Sequence, residues 1–582
     1  MRTIKRTTLV LVAVLLVGGV AALASPLIDS DEPTDPAPPR AELTPDRPPA
    51  QSGRPDQRLP KQTYLRSACK LPTRWVERIH RGWTPGRSRS SDLVIVPKPP
   101  NYMGSFINTS HSGAYDFLQD VPLVLYGPGF VRPVGSVAMD REVTIADLAP
   151  TYAELMQFEE WPDRKESEAL DEVLENTDRT PKLIFTAVID GGGWNVFNLW
   201  DDRHPNLTRI SEEGASIEGA TVGSSPSITP ATHTNISTGV FPKTHGVTAI
   251  AVRGDDGQIV GSFSEEAGNP GYQLMDPRVS LRAKTLADLW DRSVGNRAKI
   301  GMLASGNLML GMVGHGAALE GGDKDIVAIL SGEGWGTNEE FYSLPTYVNT
   351  EVEGPEGDRD AVDRADGKAD GQWQGHDVAP LDGSPAFPPW QNRVVQALLE
   401  GERFGRDATT DLFYLNYKSP DRAGHTWNMI APEQGDVIEA VDKALGEMIA
   451  WLDSNIGRGE YVMVITADHG QTPLGAGGWP ILRSEVVNDV NARFQRDESA
   501  GIIERTSASS FFSDAEGMAS NGTTPEQVAS FLARYTIGDN IPEGDDPPGE
   551  FSDRTDERIF DAVFPGRKLG KVVGCTGADV NG

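Results

Sequence analysis

The sequence predicts an α/β fold with a doubly wound, mostly parallel central sheet and helices on both of its faces. Short apolar runs rich in β-branched residues alternate with segments whose apolar residues recur at helical spacing. The apolar runs are continuous, which is typical of strands that are buried on both faces of a parallel sheet. One acidic stretch rich in Gly and Pro interrupts the pattern and is predicted to lie at the surface.

This prediction rests on six predicted strands and three predicted helices. The predicted strands are, in chain order, DLVIV (92–96), VPLVLY (121–126), KLIFTAVI (182–189), KIGMLA (299–304), DLFYLNY (411–417) and YVMVIT (461–466). The predicted helices are TIADLAPTYAELM (144–156), SLRAKTLADLWDRSV (280–294) and EQGDVIEAVDKALGEMIAWLDSNI (433–456). The segment 345–390 contains the acidic stretch and is predicted to be an inserted surface loop.

The amino-terminal residues predict export. The basic residues MRTIKR lead into the apolar run TTLVLVAVLLVGGVAALA, which ends in Ala22-Leu23-Ala24 before Ser25. This order is typical of a secretory signal peptide over residues 1–24, cleaved after Ala24. The alternative is an uncleaved anchor, because about 18 apolar residues can just span a bilayer. In either case we expect the rest of the chain to lie outside the cytoplasm and any membrane contact to run through this segment.

Amino-acid composition indicates how many domains the chain has and which partners it does not bind. Residues 25–60 are rich in proline and predict an extended linker, so a single catalytic domain is expected over 61–582. The chain carries 84 Asp and Glu against 53 Lys and Arg, which gives a formal net charge of −31 at pH 7. Such a surface repels nucleic acids and anionic lipids, and we therefore expect no nucleic-acid-binding face.

The chain contains two cysteines, Cys69 and Cys575, one towards each end of the folded part. An even number of cysteines in an exported protein predicts a disulfide, which here would tie the two ends together. The alternative is a pair of buried free thiols.

Side chains suited to metal binding follow three of the predicted strands. KLIFTAVI runs into Asp190; DLFYLNY runs into KSPDRAGH, with Asp421 and His425; YVMVIT runs into ADHG, with Asp468 and His469. Ligands of a doubly wound sheet bind beyond the carboxyl ends of its strands, so we expect these five side chains to meet. Carboxylates and imidazoles together suit zinc-like divalent ions, and two ions about 4 Å apart would need roughly six such ligands.

A candidate nucleophile lies in SSPSITPATHTNISTGVFPKTHGV (224–247). Thr229 precedes Pro230 and a helical pattern, which alone predicts an ordinary helix start with Thr229 as N-cap and Pro230 at the first helical position. The same geometry points a hydroxyl out of the positive end of a helix. There a metal ion could hold it as an alkoxide and backbone N–H groups could hold a phosphate, so the two interpretations are compatible.

Taken in order, these motifs resemble the alkaline phosphatase superfamily, in particular its type I phosphodiesterase/nucleotide pyrophosphatase branch. The matching stretches are Asp190-Gly, the segment PNLTRISEEGASIEGATVGSSPSITPATHTNISTGVFPKTHGV, SPDRAGH and TADHG. The resemblance implies a hydrolase of small phosphoesters that works through a covalent phospho-threonine and two divalent metal ions, expected to be zinc, and the signal segment adds that it is exported. It assigns one ion to Asp190, Asp468, His469 and the nucleophile Thr229, and the other to Asp421 and His425.

The resemblance leaves the second ion one protein ligand short, because no histidine follows His469. In the family the missing histidine lies late in the chain, ahead of an Asp-Val-Pro strand and a helix of the form Asp-x-Ala-Pro-Thr. Here that arrangement resembles SHSGAYDFLQDVPLVLYGPGF followed by VTIADLAPTYAELM, within residues 107–156. His111 is therefore the predicted third ligand, supplied by the segment 90–160 through a circular permutation, which is physically undemanding where the natural termini are close. As a lone residue it would be interpreted as a solvated loop histidine.

Two departures from the family bear on the substrate. The family's phosphoryl-binding Asn after the His-Gly motif is missing, with Ile250 near its position and Thr248 or a backbone N–H as candidate substitutes. The Lys-x-Arg pair by which some monoesterases grip a dianionic phosphate is also missing, which favours diesters. The alternatives are a monoesterase or related oxyanion-ester hydrolase of the same superfamily and a non-catalytic cell-envelope binding protein. His233, His245 and His315 are interpreted as structural or supporting residues.

Overall fold

The computed structural model describes residues 63–84, 89–105, 108–109, 111–268, 270–332, 334–378, 381–473 and 477–580. The expected signal segment and linker lie outside these residues. Within them the chain forms the predicted α/β architecture around a nine-stranded central sheet. No helix in this described part combines the length and the apolar composition needed to cross a membrane.

Strands and helices are numbered in chain order. The strands are β1 (Leu93–Pro97), β2 (Tyr102–Ser105), β3 (Asn108–Thr109), β4 (Leu123–Tyr126), β5 (Gly135–Val137), β6 (Leu183–Ile189), β7 (Ala215–Ile217), β8 (Ala251–Arg253), β9 (Ile259–Gly261), β10 (Ile300–Ala304), β11 (Ile326–Ser331), β12 (Gly334–Gly336), β13 (Gln372–Trp373), β14 (His376–Asp377), β15 (Asp411–Tyr417), β16 (Tyr461–Thr466), β17 (Pro480–Ile481), β18 (Ile503–Ser507), β19 (Ser510–Ser513) and β20 (Phe560–Pro565). The helices are α1 (Thr63–Ala68), α2 (Thr73–Gly82), α3 (Asp116–Gln119), α4 (Leu148–Leu155), α5 (Trp194–Phe197), α6 (Pro205–Glu213), α7 (Thr229–Thr238), α8 (Pro242–His245), α9 (Leu286–Ser293), α10 (Tyr347–Thr350), α11 (Glu356–Asp363), α12 (Phe387–Gly401), α13 (Ser419–Trp427), α14 (Pro432–Leu452), α15 (Arg483–Phe494), α16 (Ala515–Ser520), α17 (Pro525–Leu532) and α18 (Leu569–Thr576).

The central sheet has the strand order β12-β11-β10-β15-β6-β16-β4-β7-β5. Its five inner strands β11, β10, β15, β6 and β16 are parallel to one another. Four of them, β6, β10, β15 and β16, are the predicted strands that begin near 182, 299, 411 and 461. Every residue of β6 is buried, as expected for a strand that is covered on both faces.

Alternate residues of the inner strands pack into two separate cores, one on each face of the sheet. Ile184 and Val188 of β6 belong to the core that includes α4, α7 and α9. Phe185 and Ile189 belong to the core on the other face, with α6, α12 and α14. This two-residue alternation between two helical layers confirms the predicted fold class.

Two predicted strands lie elsewhere than expected. DLVIV became β1, which is not in the central sheet but in an antiparallel sheet of order β18-β19-β1-β20. VPLVLY became β4, which joins the central sheet but runs antiparallel to β16. A short buried apolar run predicts a strand but neither its partner nor its direction. The expected domain 61–582 therefore includes a second sheet with its own core, to which Tyr64 and Phe564 both belong.

Two predicted helices begin later than expected, and local capping explains one of them. The side chain of Thr285 accepts a hydrogen bond from the Asp288 N–H, and the carboxylate of Asp288 accepts one from the Thr285 N–H. This capping box begins α9 at Leu286, not near 280. The segment 144–156 starts as a 3₁₀ turn over Ile145–Asp147 before α4.

The structure joins Cys69, just after α1, to Cys575 in α18 by a disulfide with a Cα–Cα distance of 5.4 Å. Helices α2 and α18 also pack together. The two ends of the described chain therefore lie close together in space, which is the geometric condition for a permuted chain order.

The segment 345–390, expected to be a surface loop, is folded where the structure describes it. It contains α10, α11 and the β13-β14 hairpin, and it packs against α13. The indole rings of Trp373 and Trp427 meet at 5.2 Å, and Asp382 accepts a hydrogen bond from Arg422 Nε at 2.9 Å. Within its described residues the segment therefore contains short regular elements, because a few aromatic and charged contacts hold it in place although Gly, Pro and Asp dominate its composition.

Three carboxylates converge at the amino end of β11, the end opposite to its carboxyl end. Ligand-type oxygens of Asp291, Asp323 and Asp325 lie within 4.8 Å of one another. Burial and the charge of Asp323 raise the pKa of Asp291 to about 7. The folded chain therefore binds this proton more tightly than the unfolded chain, and the contribution of Asp291 to stability falls as the pH rises from about 4 to 7.

Replacing Asp291 with asparagine is expected to remove that pH-dependent loss. The difference in unfolding midpoint, Asp291→Asn minus wild type, should be about 2 °C more positive at pH 8 than at pH 5. Thermal unfolding at both pH values measures this, with Asp545→Asn on an exposed loop as control. A difference between variant and wild type that is the same at both pH values would contradict the assignment.

Candidate metal centre and nucleophile

The carboxyl ends of β6, β15 and β16 form one edge of the central sheet. Asp190 directly follows β6, Asp421 lies in α13 just beyond β15, and Asp468 and His469 follow β16. Strand β6 lies between β15 and β16, so these side chains come together as predicted.

Gly191 lets the strand ends approach closely. Its φ is +67°, and its N–H donates to Asp468 Oδ1 at 3.0 Å. A Cβ atom at this position would lie 2.9 Å from the Cα of Asp421. Glycine is therefore required here both for the backbone turn and for the approach of α13.

His111 lies in this cluster although it comes from a distant part of the chain. It is only 2% exposed, and its ring stacks on that of His469 with centroids 3.5 Å apart. Its Nδ1 donates to the carbonyl oxygen of Ser227 at 3.1 Å, and its Nε2 lies 3.4 Å from Asp421 Oδ1. A backbone carbonyl thus sets the orientation of the ring and turns Nε2 toward the carboxylate, as partners of metal-bound histidines do.

The residues around Asp421 fit a divalent cation. Among the described residues, His111 Nε2 and Asp421 Oδ1 are buried atoms for which no hydrogen-bond partner is found. Buried polar atoms without partners are costly, and a cation between them would remove that cost. His111, Asp421 and His469 each offer a ligand atom within 4.8 Å of the others, and His425 Nε2 lies 3.4 Å from Asp421 Oδ1.

A second group lies around Asp468. His469 Nε2 is 3.1 Å from Asp468 Oδ2 and 3.7 Å from Asp190 Oδ1, and all three residues are fully buried. The same nitrogen is 4.0 Å from Asp421 Oδ1. His469 therefore lies between the two groups, so the two predicted ligand sets form one continuous cluster.

His233 lies against the second group and supports it. Its Nδ1 donates to the carbonyl oxygen of Thr229 at 2.9 Å, and its Nε2 accepts from Asn416 Nδ2 at 3.1 Å. The same amide of Asn416 donates to Asp190 Oδ2 at 2.8 Å. His233 and Asn416 thus hold both the backbone of Thr229 and the carboxylate of Asp190 in place, and Asn416 belongs to none of the sequence motifs.

Thr229 is the first residue of α7, whose ten residues are all buried. The N-cap position belongs to Ile228, one residue earlier than predicted, with Pro230 in the first turn. The hydroxyl nevertheless lies at the positive end of the helix, because Oγ1 is part of the first turn.

Lys418 is the main residue of this site that the sequence motifs did not predict. It is fully buried, with Nζ 2.8 Å from Asp421 Oδ2, 3.2 Å from Asp190 Oδ1 and 3.4 Å from Thr229 Oγ1. Lysine is almost never fully buried unless it is paired. The available signal was its position at the end of an apolar strand, three residues before Asp421 and hence on the same side of the helix.

The buried charges of the cluster stabilise one another. Burial lowers the pKa of His111 well below its ordinary value. Burial would raise the pKa of Asp421, but the ammonium of Lys418 and the neighbouring imidazoles hold it well below the usual range. For His469, burial lowers the pKa, whereas the charge of Asp468 raises it to about 9. A neutral His111 and an ionised Asp421 are the forms that bind metal ions.

The remaining residues named from the sequence lie apart from the cluster. Ile250 packs into the core around α7, and Thr248 lines a separate cavity of about 40 Å³ with Ser225. His245 Nε2 is hydrogen-bonded to Asn235 at 2.9 Å, and His315 Nδ1 to Asp288 at 2.8 Å. Both histidines serve helix ends or turns.

Comparison with known proteins identifies the family. The model of the family described as type I phosphodiesterase/nucleotide pyrophosphatase matches residues 183–504, more than half of the chain. Alkaline phosphatase PhoV of Synechococcus elongatus is 24% identical over 358 residues, which cover 53% of this chain and 62% of PhoV. Alkaline phosphatase PafA of Elizabethkingia meningoseptica is 22% identical over 340 residues, which cover 50% of this chain and 60% of PafA. The chain therefore spans about 60% of the length of these curated relatives.

The crystal structure of wild-type PafA can be superposed with a TM-score of 0.48 at 16% identity, covering 67% of this chain and 85% of that one. The matched family span contains Asp190, Thr229 and the two Asp-His motifs, whereas His111 lies outside it. On the match over residues 183–504, the chain belongs to the type I phosphodiesterase/nucleotide pyrophosphatase family.

Proposed function

We propose that the protein is an exported, metal-dependent phosphoester hydrolase in which Thr229 is the nucleophile. The observation that best supports this proposal is the position of His111. It was expected at the site only if the chain order is permuted, and it stacks on His469 beside Asp421. A disulfide between the ends of the chain agrees with an oxidising compartment and hence with export.

The chain offers two ligand sets for zinc. Asp190, Asp468 and His469 with Thr229 would hold one ion, and His111, Asp421 and His425 the other. Two divalent ions, when bound, supply positive charge to the attacking and leaving oxygens. The first turn of α7 adds backbone N–H groups and the positive end of a helix, which orient an anionic phosphoryl group toward the hydroxyl.

The proposed reaction has two steps. The Thr229 oxygen forms a bond to phosphorus, the ester P–O bond breaks, and the alcohol departs with a proton. Water then attacks phosphorus, the bond to Thr229 breaks, and the hydroxyl regains its proton. The two curated relatives named as alkaline phosphatases favour phosphate monoesters as a second candidate substrate class beside the diesters favoured by the sequence.

Removing the metal ions is expected to abolish hydrolysis reversibly. The full-length protein should contain zinc and hydrolyse para-nitrophenyl phosphate, bis-para-nitrophenyl phosphate or both. Dialysis against a chelator should remove the activity, and added Zn²⁺ should restore it, because the carboxylates and imidazoles then regain their ions. A zinc-loaded wild type that hydrolyses neither ester, nor sulfate or phosphonate esters, would support the non-catalytic binding protein instead.

A further inference from the structure

We propose that Lys418 determines substrate class at this site and selects phosphate monoesters, which are dianionic, over diesters. This inference rests on the function proposed above. The buried ammonium of Lys418 contacts Asp190 and Asp421, one carboxylate from each predicted metal group, and also the candidate nucleophile Thr229.

The charge balance of the cluster depends on Lys418. Asp190, Asp421 and Asp468 are fully or almost fully buried and carry three negative charges. With two divalent ions, three carboxylates, neutral imidazoles and a Thr229 hydroxyl that keeps its proton until the alcohol departs, one net positive charge would remain, which matches a diester monoanion. The ammonium of Lys418 raises that charge to two, which matches a monoester dianion. In a buried site a mismatch of one charge is costly, because water cannot compensate it.

Lys418 also has the reach to contact the transferred group. Its Nζ lies 3.4 Å from Thr229 Oγ1. The oxygens of a phosphoryl group bonded to Oγ1 lie about 2.5 Å from it, so one of them can come within hydrogen-bond range of the ammonium. A monoester presents three such oxygens that share two charges, whereas a diester presents two that share one. Lys418 thus supplies the cation that the missing Lys-x-Arg pair would have supplied.

Lys418 has a second effect that a test must separate from the first. Its contacts with Asp421 Oδ2 and Asp190 Oδ1 also orient the two carboxylates. Loss of orientation would weaken metal binding and slow both esters alike. Loss of charge would slow the monoester more than the diester and weaken the binding of inorganic phosphate.

The variants Lys418→Met and Lys418→Gln separate these effects. Met is neutral and similar in length, and Gln is neutral but keeps N–H donors for the carboxylates. We expect both variants to retain zinc. Their kcat/KM for para-nitrophenyl phosphate should fall by at least about tenfold more than their kcat/KM for bis-para-nitrophenyl phosphate, because tenfold corresponds to the loss of one charge-assisted hydrogen bond. The affinity for inorganic phosphate, measured by calorimetry on zinc-loaded protein, should fall by a similar factor. Lys443→Met, at an exposed lysine of α14, is the matched control and should leave the ratio unchanged.

The results of these experiments test the role of Lys418 separately from the proposed hydrolase function. Equal losses on both esters, or unchanged phosphate affinity in a zinc-loaded variant, would overturn it while hydrolysis by the wild type still stands. Loss of zinc from both variants would also overturn it, because Lys418 would then only hold the carboxylates. If Met loses zinc and Gln retains it, the ester ratio and phosphate affinity of the Gln variant decide. A zinc-loaded wild type that hydrolyses neither of these esters, nor sulfate or phosphonate esters, would contradict the hydrolase; unchanged phosphate affinity in the zinc-loaded Gln variant would then still overturn the role of Lys418.

Discussion

Replacing Thr229 with alanine is expected to reduce phosphoester hydrolysis by roughly 10⁴- to 10⁶-fold, the range of losses seen when one member of a catalytic triad is removed. The hydroxyl would form the bond to phosphorus, and no shift of a neighbouring side chain can replace it. Alanine is a good helix former, so α7 and its buried contacts should persist. Steady-state rates with metal analysis and thermal unfolding of the same preparation measure the effect.

A matched control lies on the same helix. Thr238, at the other end of α7, is also buried, and its hydroxyl donates to the carbonyl oxygen of Thr234 at 2.6 Å. Thr238→Ala should lose some stability but keep catalysis within a few-fold of wild type. Acid-quenched wild type should carry one phosphoryl group on the peptide that contains Thr229. Near-normal turnover by Thr229→Ala would rule out the covalent mechanism.

Replacing His111 with alanine is expected to weaken binding of one of two zinc ions by at least about 100-fold, more than is typical when a supporting residue is lost. Asp421 and His425 would remain as protein ligands, and two ligands hold zinc less tightly than three. Zinc content after gel filtration should fall from two ions per chain toward one. Hydrolysis should fall with it and recover in part at high Zn²⁺.

His376→Ala is the control for the His111 variant. His376 is 44% exposed and hydrogen-bonded to Glu433 at 2.8 Å, outside the ligand cluster. Its loss should change neither zinc content nor rate. A His111→Ala protein that keeps two tightly bound ions would contradict both the predicted ligand set and the permuted chain order.

Much of the fold and of the candidate site was predictable because the informative residues follow strands directly. Asp190, Asp421 and Asp468 stand just beyond buried apolar runs, and the carboxyl ends of parallel strands share one edge. His111 required more than a local pattern, since a lone histidine before an apolar strand has no distinguishing signal. It became predictable when its surroundings were compared with the family's late segment.

Other features could not be predicted from neighbouring residues. Lys418 looks like a surface lysine at a strand end until Asp190 and Thr229, both distant in sequence, are placed around it. Asn416 alternates with buried apolar residues in β15 and shows no sign that it links Asp190 to His233. β1 has the composition of a central strand, yet its partners β19 and β20 come from the far end of the chain.

Local pattern was sufficient for four of the five inner strands, for a helix start within one residue of Thr229 and for the carboxylates and imidazoles of the metal cluster, because each depends on periodicity, capping or position after a strand. Long-range packing settled the direction of β4, the sheet that contains β1 and the burial of Lys418 between two carboxylates. These depend on which surfaces and charges meet when distant segments fold together, and that information is spread over the chain rather than held in any one segment.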